Sequence, residues 1–205
     1  MSVEVEFFYG VASRYSYLAS TQLPLIERAT GCRFQWRPLF SGDLLARRGV
    51  SPFKQPQPSG QYDWAYRRRD AEEWAVYYDV PFREPPAELK GEKLPRGLAL
   101  ACAAAARLGT VQAYSARLFQ AVFADANPRF DRTGLSDYAA ELRLNRDEFL
   151  QMLDDPATER VLQATTEEAF GRGAFGVPTF FVGDRMYWGN DRLVLLVRFL
   201  QSITR

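Results

Sequence analysis

The stretch from Phe175 to Leu193, FGVPTFFVGDRMYWGNDRL, restricts the fold of this chain more than any other. Val177-Pro178 precedes a β-rich run from Thr179 to Val182. Gly183-Asp184 makes a tight turn, and Arg185 to Trp188 reads as a short return strand. Gly189-Asn190-Asp191 then supplies helix-start residues ahead of Leu193, Leu196, Val197 and Leu200 at helical spacing. A proline directly before a strand is a position where a cis peptide occurs. From spacing alone, an ordinary hairpin entry carries equal weight.

The opposite end supplies the complement. Val3 to Tyr9 reads as a strand, and FFYGVASRYSYLA from Phe7 to Ala19 runs through a short loop into a helix starting near Ser13. Thr30-Gly31 stops that helix, and Pro24 should kink it near Gln22. Arg33 to Leu39 is a second strand, expected parallel to the first because a helix separates them. From Phe40 the character changes. Three prolines and Ser59-Gly60 mark Ser51 to Gly60 as a loop, and helical patterns follow. Gln61 to Asp79 sets Trp64, Ala71, Trp74, Ala75 and Tyr78 on one stripe. Leu98 to Leu108 is almost all alanine, and Val111 to Phe123, Leu135 to Leu142 and Asn145 to Leu153 are further helices. Asn145 with Glu148 resembles a capping box, and Asp155-Pro156 opens one more helix that closes at Gly171 to Gly173.

Composition removes several classes of function. With no histidine there is no Ser-His-Asp triad, no Cys-His pair and no histidine metal ligand. Cys32 and Cys102 form no C-x-x-C and read as small buried hydrophobes, so neither a zinc site nor any other metal is expected. A formal net charge of +1 provides no field for nucleic acid or an anionic membrane. No apolar run is long enough to span a bilayer, and the acidic start MSVEVEFFYG does not read as a signal peptide, so a cytoplasmic protein is expected.

The two ends together, through Ser13-Arg14-Tyr15-Ser16-Tyr17-Leu18-Ala19 and FGVPTFFVGDRMYWGNDRL, resemble the 2-hydroxychromene-2-carboxylate isomerases. These share a fold with kappa-class glutathione transferases and bacterial disulfide oxidoreductases of the DsbA type. The resemblance implies an α/β, thioredoxin-like fold with an inserted all-helical domain: residues 1–40 and 156–205 forming a discontinuous thioredoxin-like domain, and 41–155 the insert. It implies glutathione as cofactor, a small aromatic carboxylate as substrate and a homodimer. Where the oxidoreductases carry C-x-x-C this chain has Ser13-Arg14-Tyr15-Ser16, which excludes redox exchange. A helix N-terminus still favours an anion, so Ser13 is the residue expected to stabilise a glutathione thiolate; its alternative role is a plain helix cap. By the same resemblance Val177, before Pro178, pairs with the glutathione backbone, while Trp188, Gly189, Asn190 and Asp191 hold the γ-glutamyl end.

Some positions depart from the family pattern. Gly10 and Arg14 stand where the family usually has Asp and Pro. In Ser41 to Phe53, Leu45 and Val50 lie near an expected lysine and asparagine that contact ligands, leaving Arg14, Arg47, Arg48 and Lys54 as candidate carboxylate anchors. Arg67-Arg68-Arg69, followed by Glu72 and Glu73, reads as a solvated helix face. Tyr15, Tyr17, Trp36, Trp64 and Trp188 are candidates for an aromatic pocket, although most aromatics in such a chain belong to the core. The leading expectation is a glutathione-dependent isomerase interconverting 2-hydroxychromene-2-carboxylate and trans-o-hydroxybenzylidenepyruvate. The alternatives are a kappa-like glutathione transferase and a non-catalytic thioredoxin-like binding protein.

Overall fold

The computed structural model describes residues 2–49, 63–85 and 87–203. Strand β1 (Glu4–Tyr9) leads into helix α1 (Arg14–Thr30) and strand β2 (Arg33–Pro38), and the chain returns to the sheet only in β3 (Thr179–Val182) and β4 (Arg185–Trp188). The sheet order is β2-β1-β3-β4. β1 runs parallel to β2, with Phe7 opposite Trp36, and antiparallel to β3, with Phe7 opposite Phe180. β3 and β4 form the expected hairpin, Phe180 facing Tyr187.

β1 is central because both of its faces are apolar. Alternation along the strand sends Val5, Phe7 and Tyr9 into the main core and Phe8 to the opposite face, against Leu39, Leu44, Ala169, Ala174 and Phe181. Phe7 stacks on Phe180 at 5.1 Å and on Tyr9 at 4.9 Å. The Phe7–Phe180 pair registers β1 against β3 as well as burying area.

Helix α1 begins and ends where its sequence dictates. The Ser13 side chain accepts from Ser16 N, and Gly31, at φ +73°, donates its N–H to the Glu27 carbonyl. The helix is continuous past Pro24, and it buries Leu18, Ala19, Leu23 and Ile26 against the sheet. The inserted stretch contains α2 (Ser41–Arg47), α3 (Trp64–Tyr78), α4 (Lys93–Arg107), α5 (Val111–Phe123), α6 (Arg132–Glu141) and α7 (Arg146–Asp154). Helix α8 (Pro156–Gly171) then leads back to the sheet, and α9 (Leu193–Ile203) closes the chain. Asp63, Asp131, Asn145 and Asp155 each cap the helix that follows with a side-chain oxygen.

The alanine-rich face of α4 packs against α5, α7 and α8, with Ala101, Cys102, Ala103, Ala104 and Ala105 wholly buried. Small side chains let these helix backbones approach closely. Tyr9 crosses from β1 to this layer and hydrogen-bonds Ser115 on α5, oxygen to oxygen, at 2.5 Å. Cys102 lies beside that pair, and burial pushes its thiol pKa up to about 12; burial also raises Cys32. Both cysteines are therefore the buried, unreactive residues that their sequence context predicts. Helix α2 has no side-chain cap at Phe40, which is why its sequence gives no local start signal; it is held by Leu44 in the core and by contacts to α8. The loop expected over Ser51 to Gly60 lies outside the described residues. Among the described residues no helix is long and apolar enough to cross a membrane.

Candidate functional site

The first turn of α1, the entry to β3 and the end of β4 meet at one end of the sheet. Ser13 N donates to the Gly10 carbonyl at 2.9 Å, and Ser13 Oγ accepts from Ser16 N at 3.2 Å. Helix geometry leaves the Arg14 and Tyr15 amides with no carbonyl partner inside α1, so this terminus presents donors and the positive end of the helix dipole. Opposite it stands Val177, whose peptide bond to Pro178 is cis. Two adjoining cavities open here. The larger, about 350 Å³, is lined by Tyr15, Tyr66, Arg67, Asp70, Trp74 and the segment Trp188 to Asp191. The smaller, about 140 Å³, is lined by Ser13, Arg14, Ser41, Leu45, Trp64, Leu89, Pro95 and Phe175 among others. Arg67, Val177 and Trp188 belong to both.

The wall formed by Trp188 depends on a glycine. A Cβ on Gly176 would lie 2.6 Å from Trp188 Nε1, so the indole lies directly over the backbone there, and the Phe175 ring packs on it at 4.7 Å. Gly189 has φ +106° and donates its N–H to the Pro178 carbonyl, tying the end of β4 to the cis-proline segment. Asn190 is 4% exposed. Its backbone carbonyl accepts from Tyr78 Oη at 3.1 Å, while its side-chain Nδ2 has no hydrogen-bond partner. A buried amide donor left unpaired at the edge of a cavity is an exception to the usual pairing of buried polar groups.

Electrostatics divide the cleft. In the larger cavity Tyr15 hydrogen-bonds Asp70, and burial, followed by that bond and the Asp70 charge, raises the phenol well above its ordinary value. Tyr15 therefore stays neutral. Arg67 sits 5.7 Å over its ring. Behind the smaller cavity Arg14 is 5% exposed and pairs with Glu84 at 2.6 Å. Arg14 Nε and Glu84 Oε2 are buried without partners. Burial lowers the Arg14 pKa, Glu84 opposes that shift, and the like charge of Arg67 reinforces it.

The residues singled out in the sequence divide into two groups. Ser13, Arg14, Val177, Trp188, Gly189, Asn190 and Asp191 line the two cavities, and Pro178 lies directly after Val177. Arg47 and Arg48 turn away from them. Arg47 pairs with Glu167, and Arg48 donates to the carbonyls of Phe170 and Ala174 while stacking on the Phe170 ring at 4.3 Å, so both guanidinium groups face α8. Lys54 lies outside the described residues. Of the candidate pocket aromatics, Tyr17 and Trp36 go to the core, whereas Tyr15, Trp64 and Trp188 reach the cleft.

The triple-arginine face also divides. Arg68 pairs with Glu72 on the surface as expected, but Arg67 points into the cleft together with Asp70 and Trp74. Their three-then-four spacing along α3 was the available signal. At Gly10, where the family usually has Asp, a Cβ would lie 3.4 Å from both Ser41 Oγ and Val177 Cγ2, at ordinary contact distance.

This architecture and this cleft define a thioredoxin-like protein without the redox cysteines. The DSBA-like thioredoxin domain family matches residues 4–201, and the chain belongs to it. Within that family it falls with the 2-hydroxychromene-2-carboxylate isomerases. One from Pseudomonas sp. (strain C18) is 32% identical over 95% of this chain and 88% of its own length, and one from Sphingobium xenophagum is 28% identical over 98% and 99%. "Glutathione s-transferase kappa 2" of Caenorhabditis elegans is 24% identical over 96% and 91%. A solved 2-hydroxychromene-2-carboxylate isomerase superposes with a TM-score of 0.83 at 26% identity, over 98% of this chain and 96% of that one.

Proposed function

We propose that the protein is a glutathione-dependent isomerase acting on 2-hydroxychromene-2-carboxylate or a close aryl analogue. The observation that carries the reading is the juxtaposition of the capped N-terminus of α1 with Val177 and the Gly189 to Asp191 turn around one cleft. The relatives named as isomerases support the reaction class, and the kappa transferase relative supports glutathione as the thiol. Fit to that thiol is supported by the unpartnered Asn190 Nδ2 and by a cavity holding both carboxylate and guanidinium side chains, as a zwitterionic amino-acid head requires.

Bound glutathione would supply a thiolate that adds to the unsaturated substrate and departs unchanged after the new double-bond geometry is set. The chain's part is fourfold. Ser13 Oγ donates to the sulfur while the helix terminus favours its negative charge, lowering the thiol pKa. The Val177 backbone aligns the peptide as an edge strand would. Asp191 pairs with the α-ammonium, and the Gly189 to Asp191 amides with Asn190 Nδ2 take the α-carboxylate. Trp188 and Trp64 exclude water from the reacting centre. We propose the same division of labour for the chain: 1–40 and 156–205 carry the thiol site, 41–155 closes over it, and the protein works in the cytoplasm as a homodimer.

The test is turnover of 2-hydroxychromene-2-carboxylate with and without glutathione, with free thiol measured before and after. Glutathione-dependent turnover with no thiol consumed is expected. Net consumption of thiol with a model electrophile would favour the transferase reading that the kappa relative motivates, and no glutathione dependence would overturn both.

A further inference from the structure

Helix α3 is held to the rest of the chain by little of its surface. Of its 15 residues only Ala71 and Ala75 are buried, and it packs chiefly against α1. Its cleft-side edge nevertheless supplies Tyr66, Arg67, Asp70 and Trp74 to the larger cavity. Its outer face carries the two most exposed large apolar side chains among the described residues, Val76 at 80% and Tyr77 at 77%, with Tyr66 at 50%. Helices in proteins owe most of their stability to the packing of an apolar face, and this one leaves much of its apolar surface in water.

The order of residues on that face is specific. Ala71 points inward at the middle of the helix. With about 100° between successive residues, the line diametrically opposite Ala71 runs between Arg69 and Glu73, each about 20° from it. Tyr66 and Val76 lie about 40° to either side of that line, and Ala65 and Tyr77 about 60°. All six are exposed. Counted outward from Ala71 they come in matched pairs, first opposite charges and then apolar side chains, so the face complements itself when reversed end for end. Arg69 and Glu73 have no ion-pair partner among the described residues. Their neighbours are already committed: Arg68 pairs with Glu72, and Asp70 bonds Tyr15.

We propose that a second copy of the chain seats on this face, α3 against α3 and antiparallel, with the two-fold axis at the level of Ala71. Arg69 then meets the partner's Glu73, Tyr66 the partner's Val76 and Ala65 the partner's Tyr77, and the symmetry repeats each contact. The balance of sign disfavours other occupants. A nucleic acid or acidic peptide drawn to Arg69 meets Glu73 about 6 Å along the same line. The inference rests on the homodimer of the reading above and deepens it by naming the surface. Tyr66 belongs to both the face and the larger cavity, so the second copy closes against the mouth of the cleft and backs the wall that α3 gives it.

The test is sedimentation equilibrium of the full chain from about 1 to about 100 μM, the affinity range open to an interface of modest area. Wild type should dimerise within it. Arg69→Glu and Glu73→Arg change exposed residues outside the cleft lining, and each sets like charges opposite one another at both contacts. Each variant alone should weaken self-association about tenfold or more. An equimolar mixture of the two should recover wild-type affinity, because every meeting pair is then opposite in sign, and the double variant should recover it too. A monomeric wild type, single variants that associate as wild type does, or a mixture no tighter than its components overturns the proposal. The results also separate this inference from the reading it rests on. A wild-type dimer indifferent to the swaps removes this surface alone and leaves the homodimer. A monomer removes both and leaves the thiol reading, which glutathione-dependent turnover tests independently.

Discussion

Glu84→Gln is the perturbation whose cost can be worked most directly from the structure. The Arg14 side chain is 6% exposed and that of Glu84 19%, and they meet at 2.6 Å. Removing the carboxylate charge leaves a buried guanidinium facing the Trp64 ring and repelled by Arg67. Breaking such a pair costs roughly 3–5 kcal/mol, and the partial exposure of Glu84 places this one at the lower end, so a loss of about 3 kcal/mol is expected. For a chain of 205 residues this corresponds to a fall in Tm of roughly 6–12 °C. Urea unfolding should show a lower midpoint at an unchanged slope, with little dependence on salt because the pair is shielded from solvent. The double change Arg14→Leu with Glu84→Leu removes both charges and should recover most of the stability. A loss below about 1 kcal/mol in the single variant, or a double variant as unstable as the single one, would refute the claim that desolvation controls this pair.

Ser13→Ala should cost about 1 kcal/mol in cap energy, measured by urea unfolding, and should abolish proton release when glutathione is titrated near neutral pH; a purely structural cap would leave that release intact. Gly189→Ala should destabilise by about 1–3 kcal/mol through its φ of +106° and should weaken glutathione binding about tenfold, because the new methyl collides with the Asp191 carboxylate. Neither cysteine should react with a thiol reagent until the protein unfolds. The Cys102 thiol is raised to about 12 in the folded chain, above its ordinary value of 9.0, so its neutral form is the one that folding favours. Its contribution is complete below about pH 9 and declines as the pH rises toward 12, by about 1.4 kcal/mol per pH unit at its steepest. Cys102→Ala should flatten the fall in stability between these limits relative to wild type.

The elements legible in the sequence are those whose signals are local. The Ser13 cap, the Gly31 stop, the Asp155-Pro156 start and the Gly183-Asp184 hairpin each involve residues within a few positions of one another, and each appears where the sequence indicates. Arg67 was hidden for a geometric reason. In a run of three arginines, the one facing inward is decided by how α3 rolls against α1, and that depends on Ala71 and Ala75 finding the core. Arg14 and Glu84 are far apart in sequence, and the partners of Arg47 and Arg48 on α8 are farther still, so no pattern within a window links them. Helix α2 lacked a capping side chain and is stabilised by tertiary contacts alone. Motif resemblance brought together the residues around the N-terminus of α1, Val177 and the Gly189 to Asp191 turn, while the cations around Trp64 come from three separate elements and emerged only with the fold.

The central position of β1 has a consequence for biosynthesis. Phe7 and Phe8 are made about 170 residues ahead of their antiparallel neighbours Phe180 and Thr179. At typical elongation rates that interval is roughly 10–30 s. Throughout it, β2 can cover one edge of the nascent strand while the other edge keeps its amides, carbonyls and stacked rings exposed. Such an edge is what chain-binding chaperones recognise and what drives neighbouring nascent chains to associate. The ribosome therefore sets a waiting period for this fold that refolding of the full-length chain in a cuvette does not reproduce.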